Sequence, residues 1–256
     1  MTTFQTSVIN GERGDEMDQE TFRMLDYGDS AVLVEFAESF SEEAWIKAHS
    51  LASQVRECGI KGVTGVIPTY ASVLFCLDPL ITDPETVECH IKKLLETLNR
   101  FEKIQGERQC FKIPVLYGGE WGPDLSVVAT ELGISEDEVI NQHISKRYPI
   151  RCIGSPVGEP LMSAPQFPGK VPRRATPRTK IPPGSVAVAG KQTTIYTLES
   201  PGGWQLIGQS PIQFVDMFRN PPVPYRPGDY FEFFRIEEKE WQDYSRRRID
   251  EMLVIV

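Results

Sequence analysis

The chain has 256 residues, 40% hydrophobic and 25% charged, enough for one large or two medium domains that each bury a core. Its 27 basic and 36 acidic residues give a formal net charge of -9. That balance excludes non-specific nucleic-acid binding, because neutralising phosphates takes a basic face.

The first residues, MTTFQTSVINGERGDEMDQE, lack the apolar stretch of a signal peptide, and no run reaches the length of a membrane span. Residues 1–22 read as a disordered tail. The five cysteines are widely spaced with no C-x-x-C pair, and there are only three histidines. No metal site is expected from them; reduced thiols in a cytoplasmic protein are.

Ala31–Phe36 (AVLVEF) follows a turn-prone Tyr27-Gly28-Asp29-Ser30 and reads as a strand. A helix comes next, capped by Ser41 with Glu42 and Glu43 near its positive end, carrying Ala44, Trp45, Ala48, Leu51, Ala52 and Val55 at helical spacing and stopping at Gly59. Val63–Ile67 and Ser72–Leu77 read as two more strands. A second helix starts at a capping-box pattern, Thr82 and Glu85, with Pro84 in its first turn. Phe111–Tyr117 supplies a last strand, giving the order β-α-β-β-α-β of a ferredoxin-like α/β sandwich.

Asp124–Leu132 and Glu136–Lys146 read as helices broken at Gly133. They mimic a helix-turn-helix, but the second opens with Glu136-Asp137-Glu138, which meets phosphates badly, and Ser135 with Glu138 gives those acids a capping role. After Pro149 helical periodicity fades. Short apolar runs at Ser185–Ala189, Thr193–Leu198, Trp204–Ile207, Pro211–Val215 and Tyr230–Ile236 alternate with Pro/Gly turns, as in a β-barrel or sandwich. A domain boundary is expected near residues 105–110. Glu237–Val256 reads as an extension, either a docking helix or a partner contact.

From Pro160 to Leu198 there is no acid, yet Lys170, Arg173, Arg174, Arg178, Lys180 and Lys191 fall there. Such a segment is either a solvated basic loop or a site for a carboxylate, carbamate or phosphate. Gly190-Lys191-Gln192-Thr193 lacks the spacing of a phosphate-binding loop, and no G-x-S-x-G or G-x-G-x-x-G occurs. Asp124, after the glycine-rich turn 118–123, and His143 are the candidate acid–base pair; the alternatives are a helix cap and a core histidine. The turn Glu199-Ser200-Pro201-Gly202-Gly203-Trp204 offers backbone amides for an oxyanion, or is a hairpin before a core tryptophan.

The segments GDSAVLVEF (28–36), IPTYASVLFCLDP (67–79), IPVLYGGEWGPDL (113–125), PRRATPRTKIPPGSVAVAGKQTTIYTLESPGGWQLIGQSP (172–211) and RPGDYFEF (226–233) resemble, in the same order, the allophanate hydrolase subunit 1 family, also called the Kip-inhibitor or 5-oxoprolinase B-subunit family. The resemblance implies an α+β chain: an N-terminal α/β domain over 23–106, a cyclophilin-like β-barrel over 107–236 and an extension over 237–256. It also implies a subunit-2-type cyclophilin-like partner and a third ATP-using or biotin-carrying subunit. Three functions follow as expectations. The first is an ATP-dependent amidohydrolase subunit of the 5-oxoprolinase type. The others are a carboxyltransferase component using carboxybiotin, and an inhibitor of a histidine kinase. The residues expected to carry the first are Asp124, His143 and Gln192 for catalysis, with Arg174, Arg178, Lys180, Ser200, Gly202 and Gly203 binding substrate. One departure stands out. Relatives carry Gly-Phe-x-Pro-Gly-Phe-x-Tyr where this chain has Gly154-Ser155-Pro156-Val157-Gly158-Glu159-Pro160-Leu161, which implies a different or more polar substrate or, as the alternative, lost catalysis with a binding role kept.

Overall fold

A computed structural model of the protein describes residues 22–97, 108–154, 156–163 and 165–254. The chain divides into two compact units, residues 1–106 and 107–256. The expected tail lies, apart from Phe22, outside the described residues.

The first unit runs β1 (Arg23–Asp26), β2 (Ala31–Glu35), α1 (Glu42–Cys58), β3 (Val63–Pro68), β4 (Ser72–Leu77) and α2 (Pro84–Thr97). Its antiparallel sheet has the order β1-β2-β4-β3. Ser41 caps α1 by accepting from the Ala44 amide at 3.0 Å, and Gly59 ends it in the left-handed region, with φ 62°. The α2 cap differs from the expected one. Asp83 accepts from the Thr86 amide at 2.8 Å, and Pro84 takes the first helical position, where a missing N–H costs nothing. Apolar faces of both helices (Leu51, Val55, Val87, Ile91) close on Val32, Val34, Val73 and Phe75 of the sheet.

The expected ferredoxin-like order is corrected here. Phe111–Tyr117 is not in this sheet. The strand beside β2 comes instead from the start of the chain, as β1, so the order is β-β-α-β-β-α.

The second unit opens with β5 (Cys110–Tyr117), α3 (Leu125–Leu132) and α4 (Glu136–Ile144). Strands β6 (Arg147–Gly154), β7 (Glu159–Ser163), β8 (Arg178–Ile181), β9 (Ser185–Ala189), β10 (Gln192–Ile195), β11 (Ser200–Gly202), β12 (Gln205–Gln209) and β13 (Tyr230–Arg235) follow. The order β12-β9-β10-β7-β6-β13-β5 closes on itself through β12 and β5, where Gly208 faces Tyr117. The result is a seven-stranded barrel, consistent with a cyclophilin-like one. Closure removes the exposed sheet edges that an open antiparallel sheet would carry. Alternating residues of each strand fill the interior, among them Ile113, Val115, Ile150, Met162, Val186, Val188, Ile207, Phe231 and Phe233. Val128, Ala129, Val139 and Ile140 join α3 and α4 to the same core.

Pro211–Val215, expected as a strand, is not one. Gln213 makes a single bridge to Arg248, while Ile212, Phe214 and Val215 are buried as core. The C-terminal residues pack onto the barrel. The short helix α5 (Trp241–Tyr244) places Trp241 against Trp121 at 4.1 Å between ring centroids, and β14 (Leu253–Val254) pairs with β5.

Candidate functional site

Between β5 and α3 the chain turns tightly through Gly118 and Gly119, with φ 74° and 54°. At Gly122 a side chain is impossible, since a Cβ would fall 2.1 Å from the Ile207 carbonyl oxygen. This close approach lays Asp124 against β12. Its amide donates to the Leu206 carbonyl at 2.9 Å, and the Leu206 amide donates back to its carboxylate at 2.8 Å. The Asp124 side chain makes no capping bond to α3, so the cap reading does not describe it.

Its partners are two arginines from the basic segment. Arg178 forks onto both carboxylate oxygens at 2.8 and 2.9 Å, and Arg174 Nη1 reaches Oδ1 at 2.8 Å. With Leu206, four donors occupy a carboxylate that is 2% exposed. An ionised carboxylate has about four acceptor sites, so none is left over. Burial opposes its ionisation, but the Arg178 hydrogen bonds, the Leu206 amide and the two guanidinium charges outweigh burial and hold its pKa below the usual carboxylate value. One acid against two guanidiniums leaves the node with a net charge of about +1 at neutral pH.

The node sits on the outer side of the barrel. Ala187 of β9 and Leu206 of β12 belong to a small cluster with Ile181 and Tyr196, while their strand neighbours Val186, Val188 and Ile207 face inward. The two-stranded β8–β11 sheet supplies Arg178 and Ile181 on one side and Gly202 on the other. Gly202 is required by the tyrosine, because a Cβ there would lie 2.2 Å from Tyr196 Oη. The Gly203 carbonyl accepts from the Arg174 amide at 2.8 Å, tying the basic segment to the Gly-Gly turn. Burial, with the charge of Glu159 adding to it, raises the Tyr196 phenol to about 12 against the opposing backbone hydrogen bond of Trp204. Arg173 lies over the Trp204 ring, its Cζ 5.8 Å from the centroid.

The residues expected at the site thus fall into two groups. Asp124, Arg174, Arg178, Gly202 and Gly203 converge. Ser200 faces Ile181 in the same small sheet. Lys180 extends from β8 into an exposed pair with Glu199 at 3.2 Å. Gln192 stands elsewhere, at the start of β10 opposite Ala189 and Ser163.

His143 is inside the barrel core, 0% exposed. Its ring nitrogens bond the Tyr117 and Thr193 hydroxyls at 2.7 and 3.1 Å, and its ring packs against Tyr148 and Phe233. Burial lowers its pKa to about 3, with Lys146 adding to the effect, so the imidazole is neutral at physiological pH. Among the described residues the expected Asp124–His143 pair does not form: Asp124 bonds Arg174, Arg178 and Leu206, while the buried His143 ring bonds Tyr117 and Thr193.

Arg173, Tyr196 and Glu159 join the surroundings of the node. A tyrosine in a strand reads as core, and Arg173 carries the same sequence signal as its neighbour Arg174, so nothing in the sequence separates them. Glu159 is visible as a departure. It opens β7 and accepts from Thr194 Oγ1 at 3.3 Å. Burial raises its pKa to about 7, against the weaker effect of that hydrogen bond. The glycine turn before it is kept. Gly158 has φ 67° and its carbonyl accepts from Tyr225 Oη at 2.6 Å.

Among the described residues no group of three or more His, Cys, Asp or Glu side chains is placed to hold a metal. The Gly190–Thr193 stretch is a hairpin whose Gln192 pairs with Ala189, and Gly190 itself bonds Val171 in both directions.

A closed barrel with a charged node on its outer face, preceded by an α/β unit, defines a two-unit protein of the cyclophilin-like barrel class. Residues 22–225 match the family described as carboxyltransferase domain, subdomain C and D, and the chain belongs to that family. It is 34% identical over 234 residues to the 5-oxoprolinase B subunit of Bacillus subtilis, a match covering 88% of this chain and 97% of that protein. Against the 5-oxoprolinase B subunit of Escherichia coli O157:H7 it is 38% identical over 162 residues, 63% of this chain and 73% of the relative. Among solved structures, TTHA0988 superposes with a TM-score of 0.68 at 32% identity, over 82% of this chain and 40% of that one. The K. lactis urea amidolyase gives a TM-score of 0.73 at 20% identity, over 93% of this chain and 16% of that one, a likeness of fold alone.

Proposed function

We propose that the chain is the B subunit of a heteromeric, ATP-dependent 5-oxoprolinase, an enzyme component that completes a small amide or lactam site together with a subunit-2-type partner. The match to the Bacillus subtilis B subunit over 97% of that protein's length carries this reading. The chemistry of the outer node supports it. A cyclic amide acid needs a cationic anchor for its carboxylate, and the node has one more guanidinium than carboxylate, with Arg173 beside it on Trp204.

In this reading Asp124 is a positioning residue. It holds Arg174 and Arg178 in fixed geometry, so that their outward N–H groups meet an anion without an ordering cost. Lys180 and Ser200 line the approach, Gly202 and Gly203 shape the turn beside it, and Gln192 acts on a separate part of the barrel. His143 organises the core and moves no proton. The complex uses ATP in this reading, and in this chain the Gly190–Thr193 hairpin is taken up by pairing with Ala189 and Val171. The test is co-expression with the partner subunits and an assay for 5-oxoproline-dependent ATP turnover. The expected result is turnover that requires all subunits; turnover with this chain omitted would overturn the reading.

The carboxyltransferase alternative draws on the family description. It predicts urea-dependent turnover that requires a biotinylated carrier, and the same reconstitution assayed with urea distinguishes the two.

A further inference from the structure

Glu159 shares a face of the barrel with the arginine node. On β10, Thr193 points inward to His143, so Thr194, paired with Ala187, points outward. On β7, Pro160 and Met162 are buried and alternate with half-buried Glu159 and Leu161, which turns Glu159 to the outer face as well. Thr194 Oγ1 links the two strands, 2.9 Å from the Pro160 carbonyl oxygen and 3.3 Å from Glu159 Oε1. A hydroxyl has one proton and the shorter contact takes the larger share of it, so Glu159 keeps hydrogen-bonding capacity to spare.

The strand order β12-β9-β10-β7 places the arginine node at one end of this face and Glu159 at the other, three spacings of about 4.8 Å apart. Long side chains reach in from both ends. The charges of Glu159, Arg173 and Arg178 all act on the Tyr196 hydroxyl that lies between them. Glu159 also acts on Tyr225, and β6 sets the uncharged Gly154 opposite it. Arg174 and Arg178, with side chains 33% and 23% exposed, reach water, as does half-buried Glu159. A purely structural role suits this carboxyl poorly, because its hydrogen bond is long and burial opposes its charge. A face with fixed positive charge at one end and a carboxyl with spare capacity at the other complements a small molecule whose ends are a carboxylate and an amide.

We propose that Glu159 is a specificity-determining residue of this site, donating a hydrogen bond to the amide oxygen of a ligand whose carboxylate Arg174 and Arg178 hold; the inference rests on the amide-acid reading above. The experiment compares two ring acids in the reconstituted complex. One is 5-oxoproline as substrate; the other is cyclopentanecarboxylate, which has the carboxylate without the amide, as competitive inhibitor. Glu159→Leu is expected to raise KM for 5-oxoproline about tenfold, the scale of one hydrogen bond, and to leave Ki for cyclopentanecarboxylate within about twofold. Glu159→Gln keeps an N–H donor and is expected to recover most of that loss at pH 7. In the wild type, KM for 5-oxoproline should climb as pH rises through about 7 and the carboxyl loses its proton. Glu159→Gln should abolish the climb, since Tyr196 and Tyr225 are pushed up by burial and Asp124 is held low, outside that window. A Ki that rises as much as KM in Glu159→Leu would make the residue structural and overturn the inference. An unchanged KM in Glu159→Leu, or the same climb in Glu159→Gln, would overturn it too, while turnover itself upholds the functional reading. A wild-type complex without 5-oxoproline-dependent turnover would overturn that reading and the inference together.

Discussion

Asp124 and Asp216 are each held by two arginines, yet the two networks do different work. At Asp124 four donors converge on one acid whose side chain is 3% exposed, and among the described residues Arg174 and Arg178 have no second carboxylate among their hydrogen bonds. The network around Asp216 includes Asp250, and its members are 16–51% exposed. Two acids against two arginines leave no net charge there, and water screens each pair. The first network therefore stores a positive charge in a fixed place, while the second braces a loop. Counting salt bridges would rank the second higher; burial and stoichiometry reverse the order.

Removing Asp124 should produce the largest effect. Asp124→Ala leaves two guanidiniums repelling one another and the Leu206 amide without its acceptor. Loss of a partner from a fully buried pair costs about 3–5 kcal/mol, and here both arginines reach water, so about 2–3 kcal/mol is expected in urea denaturation. A loss no greater than that of Arg248→Ala would erase the distinction between the networks.

Glu159 extends the contrast, because its carboxyl is half-buried and accepts from the Thr194 hydroxyl, with no arginine ion pair among the described residues. Its folded pKa of about 7 lies above the ordinary 4.5. Between those values the folded state holds a proton that the unfolded state releases, so this group's contribution to stability falls as pH rises through that window. Glu159→Gln is therefore expected to be more stable than wild type at pH 8, by about 1–2 kcal/mol after allowing for its partial exposure, with the gap closing by pH 4. Equal stability at both pH values would show that this carboxyl ionises without penalty.

Acid acts on Asp124 and His143 in the direction opposite to Glu159. Asp124 has a depressed pKa, so its contribution is present above the ordinary carboxylate value and is lost as pH falls through the folded one. His143 refuses a proton between 6.5 and about 3 that the unfolded chain accepts, which also lowers stability as pH falls. His143→Gln should flatten the fall in melting temperature between pH 6 and pH 4. A slope unchanged from wild type would contradict a neutral buried imidazole.

The smallest effects belong to exposed charges. Arg248→Ala should lower the unfolding midpoint slightly, with the difference shrinking in added salt. Lys180→Ala, which removes a pair with side chains 76% and 58% exposed, should leave it unchanged.

Local signals are legible in the sequence wherever short-range physics sets the structure. Ser41 and Gly59 bound α1, Ser135 caps α4 by accepting from the Glu138 amide at 3.2 Å, and Ser185–Ala189 is a strand as its apolar run implies. Long-range pairing is not legible. An apolar alternating strand such as Cys110–Tyr117 suits either sheet, and only the register with β12 and β13 places it in the barrel. The four residues of β1, Arg-Met-Leu-Asp, carry no strand pattern and are defined by pairing with β2. At the site, the basic block points to Arg174 and Arg178. That Asp124 neutralises part of their charge depends on contacts 50 and 54 residues apart in the chain, beyond any motif. His143 shows the converse: a histidine on a helix face carries the same pattern whether it faces a ligand or a core.

Asp124, on this reading, holds the anion-binding arginines and transfers no proton. Steady-state kinetics of the reconstituted complex with Asp124→Asn is the decisive test. A rise in KM for 5-oxoproline of about tenfold or more is expected with kcat changed much less, because substrate anchoring is lost while the chemistry is retained. A collapse of kcat at unchanged KM, with loss of the acid limb of the pH–rate profile, would make Asp124 a catalytic base and contradict the positioning role.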